Sequence, residues 1–172
     1  AVQILPTVIN SKKINYIDHL NLNSSLHPYS KSDFDEDPSG CGSSIQVGEL
    51  SSSVGTANYY SPNNSDMEEY NAFLPDAKGY PFVVTEYTPD NTGRINRQSG
   101  IGEEHQLSSG HETQYFYSTP TQEELDRLFG SEVGYASHYK KNVVIDANGQ
   151  SSVSYLDPSG RVIATAIVGD ST

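Results

Sequence analysis

A chain of 172 residues suits one domain or a piece of a larger protein, and it is long enough to bury a real core. Its formal net charge of −12, from ten basic and twenty-two acidic residues, excludes the clustered Lys and Arg that phosphate binding needs, since only Lys12-Lys13 and Lys140-Lys141 adjoin. No apolar run reaches the roughly eighteen residues of a membrane-spanning helix, so membrane insertion by that route is excluded as well.

Twelve tyrosines and no tryptophan, at only 34% hydrophobic residues, fit half-buried pleated strands better than helix cores. The chain begins at Ala1 without the charged, apolar and small-residue regions of a signal peptide, and we read it as a processed or excised fragment. Its acidity suits solubility outside a cell, in a secreted or cell-surface setting.

Residues 1–57 predict a loop-rich segment with edge strands in the apolar stretches 2–9 and 14–22. Within it, "SGCGSSIQVGELSSSVGT" (39–56) has the Gly and Ser content of a flexible connector. Residues 58–172 predict a mainly β, antiparallel meander with one short helix. Stretches 70–74 and 80–87 flank "PDAKG", and "TPDNTG" then leads into "RINRQ", which reads as two linked hairpins. "HETQYFYS" (111–118) alternates Thr113, Tyr115 and Tyr117 with Gln114 and Phe116.

The helix is placed near 121–129. Thr121 and Glu124 form a capping-box pattern, Gly130 stands at the stop, and Leu125, Leu128 and Phe129 form the stripe expected to lie on a sheet. After it, "KNVVID", "QSSVSYL" and "RVIATAIV" are strands joined by "ANG" and "DPSG", turns too short for anything but antiparallel neighbours. In the last strand Ile163 and Ile167 lie on one side and Val162, Ala164, Ala166 and Val168 on the other, so both faces are expected to be partly covered.

Asp33, Asp35 and Asp37 alternate as calcium-loop ligands do, but Pro38 replaces the glycine and Ser44 the bidentate glutamate, so a solvated acidic loop is the favoured reading. "HETQY" starts like a zinc-protease helix yet has Tyr115 in place of the second histidine. A metal or catalytic site from His105, Glu104, His111 and His138 then needs a tertiary coincidence. Cys41, between two glycines, has no histidine–acid pattern pointing to it and excludes an internal disulfide. Tyr115, Tyr117, Tyr135, Tyr139 and Tyr155 could line a ligand stripe, although a sheet face packed under the helix is the plainer reading. We therefore assign no catalytic residue, no cofactor and no metal.

One turn unit recurs. "EYTPDNTGRI" and "SYLDPSGRVI" match Tyr87 with Tyr155, Asp90 with Asp157, Gly93-Arg94 with Gly160-Arg161, and Ile95 with Val162. Tyrosine ends the incoming strand, Asp and Gly shape the reversal, and Arg opens the outgoing strand with its stem free to cover a ring. "YLDPSGRVIAT" and "EYTPDNTGRI" resemble the tyrosine-aspartate (YD) or Rhs-repeat family of very large exported bacterial proteins. Residues 59–168, about two thirds of the chain, are similar to a non-repeat region of members from Bacteroidota. The resemblance implies a structural role: repeats wind into a β-sheet shell around a C-terminal, often toxic, polypeptide. Partners would then be the rest of the parent polypeptide or secretion-associated proteins.

Repeats in that family follow at about twenty residues, whereas Tyr87 and Tyr155 stand 68 apart with a helix between, which implies a cap or margin of the shell. Two further readings remain: a surface adhesion or glycan-binding module, and an enzyme whose His105 and His111 meet an acid in an enclosed pocket.

Overall fold

The computed structural model describes residues 1–4, 19–35, 48–65 and 73–169. The elements are β1 (Val2–Ile4), α1 (Lys31–Phe34), α2 (Gly55–Tyr59), β2 (Phe82–Tyr87), β3 (Ile95–Gln98), β4 (Thr113–Ser118), α3 (Gln122–Phe129), β5 (Lys140–Ile145), β6 (Ser151–Leu156) and β7 (Val162–Val168). Strand order in the seven-stranded antiparallel sheet is simply β1 to β7. The expectation of a mainly β, antiparallel chain with one short helix holds, and α1 and α2 add only single turns.

Two compact units divide the chain. The first comprises Ala1–Glu86 and Gln98–Glu112, the second Tyr87–Arg97 and Thr113–Thr172.

In the first unit β1 pairs with β2 in the register Val2↔Val84, Gln3↔Val83 and Ile4↔Phe82. Alternation puts Phe82 and Val84 on one face, where both lose all solvent contact. Burying a side chain of either size stabilises by about 1.5–3 kcal/mol. Phe34, Leu50, Ala57 and Leu107 complete that core, and Phe34 meets Phe82 edge to face at 5.1 Å. Tyr59, Tyr60 and Ala77 form a second cluster.

The 39–56 stretch departs from the expected connector where it is described: Leu50 and Thr56 are buried, because a single leucine among small residues fits beneath the β2 face. Of the first expected hairpin, residues 70–72 lie outside the described chain, and Phe73 and Leu74 are not in a strand. β2 takes β1 as its partner.

In the second unit β4, β5, β6 and β7 form a continuous meander. Cross-strand pairing sorts the side chains into rows: Phe116, Val143, Val153 and Ala166 lie on one face, and Tyr115, Val144, Ser152 and Ile167 on the other. α3 covers the first face through Leu125, which is fully buried against Val153 and Tyr155, with Val143, Tyr139 and Ala164 around it.

The helix forms where the sequence places it. The Thr121 hydroxyl accepts from the Glu124 amide at 3.2 Å, and the Glu124 carboxylate accepts from the Thr121 amide at 2.8 Å. Its expected stripe is corrected, however. Leu125 alone is buried, while Leu128 and Phe129 stay exposed, because an eight-residue helix meets the sheet over little more than one turn. The last strand is corrected too: Ile167 is 72% exposed, and only Ala164 and its immediate row are covered, since β6 is the one strand beside β7 among the described residues.

Candidate functional site

Among the described residues the turns carry the most specific chemistry. At 157–161 the Asp157 amide donates to the Arg161 carbonyl at 2.9 Å, and one carboxylate oxygen accepts from the amides of Ser159 and Arg161, each at 2.9 Å. The other oxygen receives Arg161 Nε at 2.8 Å and Nη2 at 2.7 Å. Gly160 supplies the positive φ of +80° that closes the reversal. The bond from the Arg161 amide, helped by its guanidinium, holds the Asp157 carboxyl below the usual carboxylate range despite some desolvation.

The 88–94 turn keeps the Asp–Arg spacing of four but is two residues longer, and it is the Thr88 amide that donates to the Arg94 carbonyl, at 2.8 Å. Asp90 accepts from the Thr88 hydroxyl at 2.6 Å, the Thr92 hydroxyl at 2.7 Å and the Thr92 amide at 3.1 Å, and Arg94 closes onto it at 2.8 Å. Those bonds, the Thr88 hydroxyl first, draw the Asp90 carboxyl far down. Arg94 then lies over the Tyr117 ring at 4.9 Å, and Tyr117 donates to the Ile95 carbonyl at 3.0 Å. In both turns, then, an aspartate clasps the arginine four residues on. Tyr87 is half exposed at the end of β2, whereas Tyr155 is buried under α3, so the two tyrosines stand in different surroundings.

The turn expected at "ANG" forms and uses its aspartate as 157–161 does. At 146–150 the Asp146 amide donates to the Gln150 carbonyl at 3.0 Å, its carboxylate accepts from the amides of Asn148 and Gln150, and Gly149 has φ +79°. The Asp-x-x-Gly spacing matches 157–160, but glutamine stands in place of the arginine and Val144 in place of the tyrosine.

No family model matches the chain, and no curated protein or solved structure does.

Beside the cap of α3, a recess of about 400 Å³ is lined by Thr121, Glu123, Glu124, Arg127, Leu128 and Tyr155. Lys141 pairs with Glu124, and the Tyr155 hydroxyl lies 3.4 Å from the same carboxylate oxygen. The Lys141 ammonium, with the Thr121 amide, keeps the Glu124 carboxyl below its ordinary range, while burial and the Glu124 charge raise the Tyr155 phenol. Glu124, Lys141 and Tyr155 are thus committed to one another, and the cluster ties α3 to β5 and β6. A second recess of about 360 Å³, in the first unit, is lined by Leu20, Val54, Asn58 and Tyr59 among others.

The remaining candidates are scattered. Asp33 accepts from Ser30 at 2.6 Å and Asn23 at 3.0 Å, ordering the start of α1, and Asp35 ends that helix. Asp37 and Cys41 lie outside the described residues. His105 and His111 meet edge to face at 6.2 Å, and the Glu112 carboxylate accepts from the Gly110 amide at 2.9 Å, while His138 lies in the second unit against Tyr135. Among the described residues no three His, Cys, Asp or Glu are placed to hold a metal ion, and no helix is long and apolar enough to cross a membrane. Of the five stripe tyrosines, Tyr139 and Tyr155 pack under α3, Tyr115 and Tyr117 occupy β4 on the opposite face, and Tyr135 is 76% exposed.

Proposed function

We propose that the chain is a structural β segment of a large exported Rhs/YD-repeat-like protein, contributing to or capping a shell that encloses a C-terminal, toxin-like cargo. The supporting observation is the clasp shared by two reversals, Asp90 with Arg94 and Asp157 with Arg161. Such a clasp spends its charged groups on shaping a turn, which leaves them no part in a reaction. A meander of this kind works mechanically. Paired strands hide their backbone groups, one face takes a helix, and the acidic exterior of a chain at −12 keeps the assembly soluble. Its partners are then the remainder of the parent polypeptide or secretion-associated proteins, outside the cell or on its surface.

Reading the gene on both sides of this segment tests the proposal. Tandem Tyr/Asp/Gly-Arg units at about twenty-residue spacing, followed by a variable C-terminal region, are the expected result. A short open frame without such units overturns it. The exposed edge of β7 favours a second reading, a surface module that contacts another protein through its sheet. That reading expects flanks with anchoring or export sequences and no repeats.

A further inference from the structure

The sequence of β7, Val-Ile-Ala-Thr-Ala-Ile-Val, reads the same in both directions about Thr165. We infer that β7 is a self-association edge, on which a second copy of this chain adds its own β7 antiparallel, about a two-fold axis through Thr165. This inference does not rest on the functional proposal above.

A two-fold interface requires that residue i face j while j faces i. An antiparallel strand that is its own reverse satisfies this with like opposite like: Val162 faces Val168, Ile163 faces Ile167, Ala164 faces Ala166, and Thr165 faces itself. The backbone is poised for it. Gln150 Nε2 donates to the Val168 carbonyl from the β6 side at 3.2 Å, so by ladder alternation Ala166 also points its groups at β6, and Thr165 and Ile167 point theirs at the open edge. The irregularity in the β6–β7 register opposite Tyr155 and Leu156 falls near Ile163 and leaves 164–168 in regular pairing.

Apart from that irregularity, the strand also lacks the usual charges and proline that blunt an edge, although its chain carries twenty-two acidic residues. Val162, Ile163, Ile167 and Val168 are 58%, 40%, 72% and 53% exposed. A copy of β7 would continue the ladder that β6 begins. It would set Thr165 and Ile167 on the open face and pack small Ala164 against Ala166 on the face of α3.

A single pair of seven-residue strands belongs to the small interfaces, below about 1,200 Å² in total, so the dimer is concentration-dependent. Two chains at −12 repel one another, while the joined strands are neutral, so added salt strengthens the dimer by screening.

Sedimentation of the chain over rising concentration tests this, together with Thr165→Lys and Thr165→Glu. Expected are a mass that doubles and then stops, monomers for either variant alone, and a recovered dimer when the two variants are mixed, since opposite charges then meet on the former axis. Amide exchange at Thr165 and Ile167 slows as the dimer fills. A chain that stays monomeric up to about 1 mM, where association is worth only about 4 kcal/mol, overturns the inference. So do a dimer that ignores Thr165→Lys, a variant mixture that stays monomeric, and a ladder of larger species in place of a closed pair.

Discussion

Two adjacent residues in the first unit show how opposite signs of mutational effect follow from local geometry. Gly55 has φ +68°, and a Cβ built there would meet the Leu22 carbonyl oxygen and the Tyr29 hydroxyl well inside van der Waals contact. Backbone cannot yield as a flexible side-chain tip can. Gly55→Ala is therefore expected to lower unfolding stability by about 2 kcal/mol or more, read as a shift of the denaturant midpoint. Thr56 is fully buried, and its hydroxyl finds no partner among the described residues. Because an unmade buried hydrogen bond is costly, Thr56→Val keeps the shape, removes the orphan, and should stabilise by about 1 kcal/mol. A loss on Thr56→Val would mean that the hydroxyl is satisfied in solution.

Elements formed where their causes lay close together in sequence. α3 needed only the Thr121–Glu124 cap, Gly130 and one well-placed leucine, and each of these is local. The reversals at 88–94 and 157–161 are equally local, since their carboxylates bond amides two to four residues on. What could not be read is long-range. Nothing near Val2 announces Val84 as its partner, and nothing near Leu50 announces Phe82. Periodicity named Leu125, Leu128 and Phe129 alike, but only the tertiary meeting of helix and sheet decides that Leu125 is the contact and that Leu128 lines a recess. Leu125→Ala should accordingly cost about 2–5 kcal/mol and strip α3 of amide protection, since an eight-residue helix has little stability without its packing. Leu128→Ala, at a half-exposed position, should cost well under half as much in the same denaturation series.

At the scale of the whole molecule, two electrostatic effects respond to acid with opposite signs. The net charge of −12 repels itself, and protonation relieves that strain as pH approaches the pI near 4.6. Much of it is already screened at 0.15 M salt, where the Debye length is about 8 Å. Against it stand carboxylates held charged at hydrogen-bond range: Glu124 chiefly by Lys141, Asp157 by the Arg161 amide, and Asp90 by Thr88. At Asp33 partial burial works the other way but is outweighed by Ser30 and Asn23. These contacts are too short for salt to screen as it screens the distant charges. All four carboxyls ionise more readily folded than unfolded, so their stabilisation is complete above the ordinary carboxylate value near 4 and is lost as pH falls through the lower folded values. The melting temperature should thus change little from pH 7 to about 5 and drop clearly between about 4 and 2. Glu124→Gln, which breaks the tie from α3 to Lys141, should melt lower at pH 7 yet lose less on acidification. Equal losses in the variant and the unsubstituted chain would show that Glu124 is not among the groups whose protonation unfastens the fold.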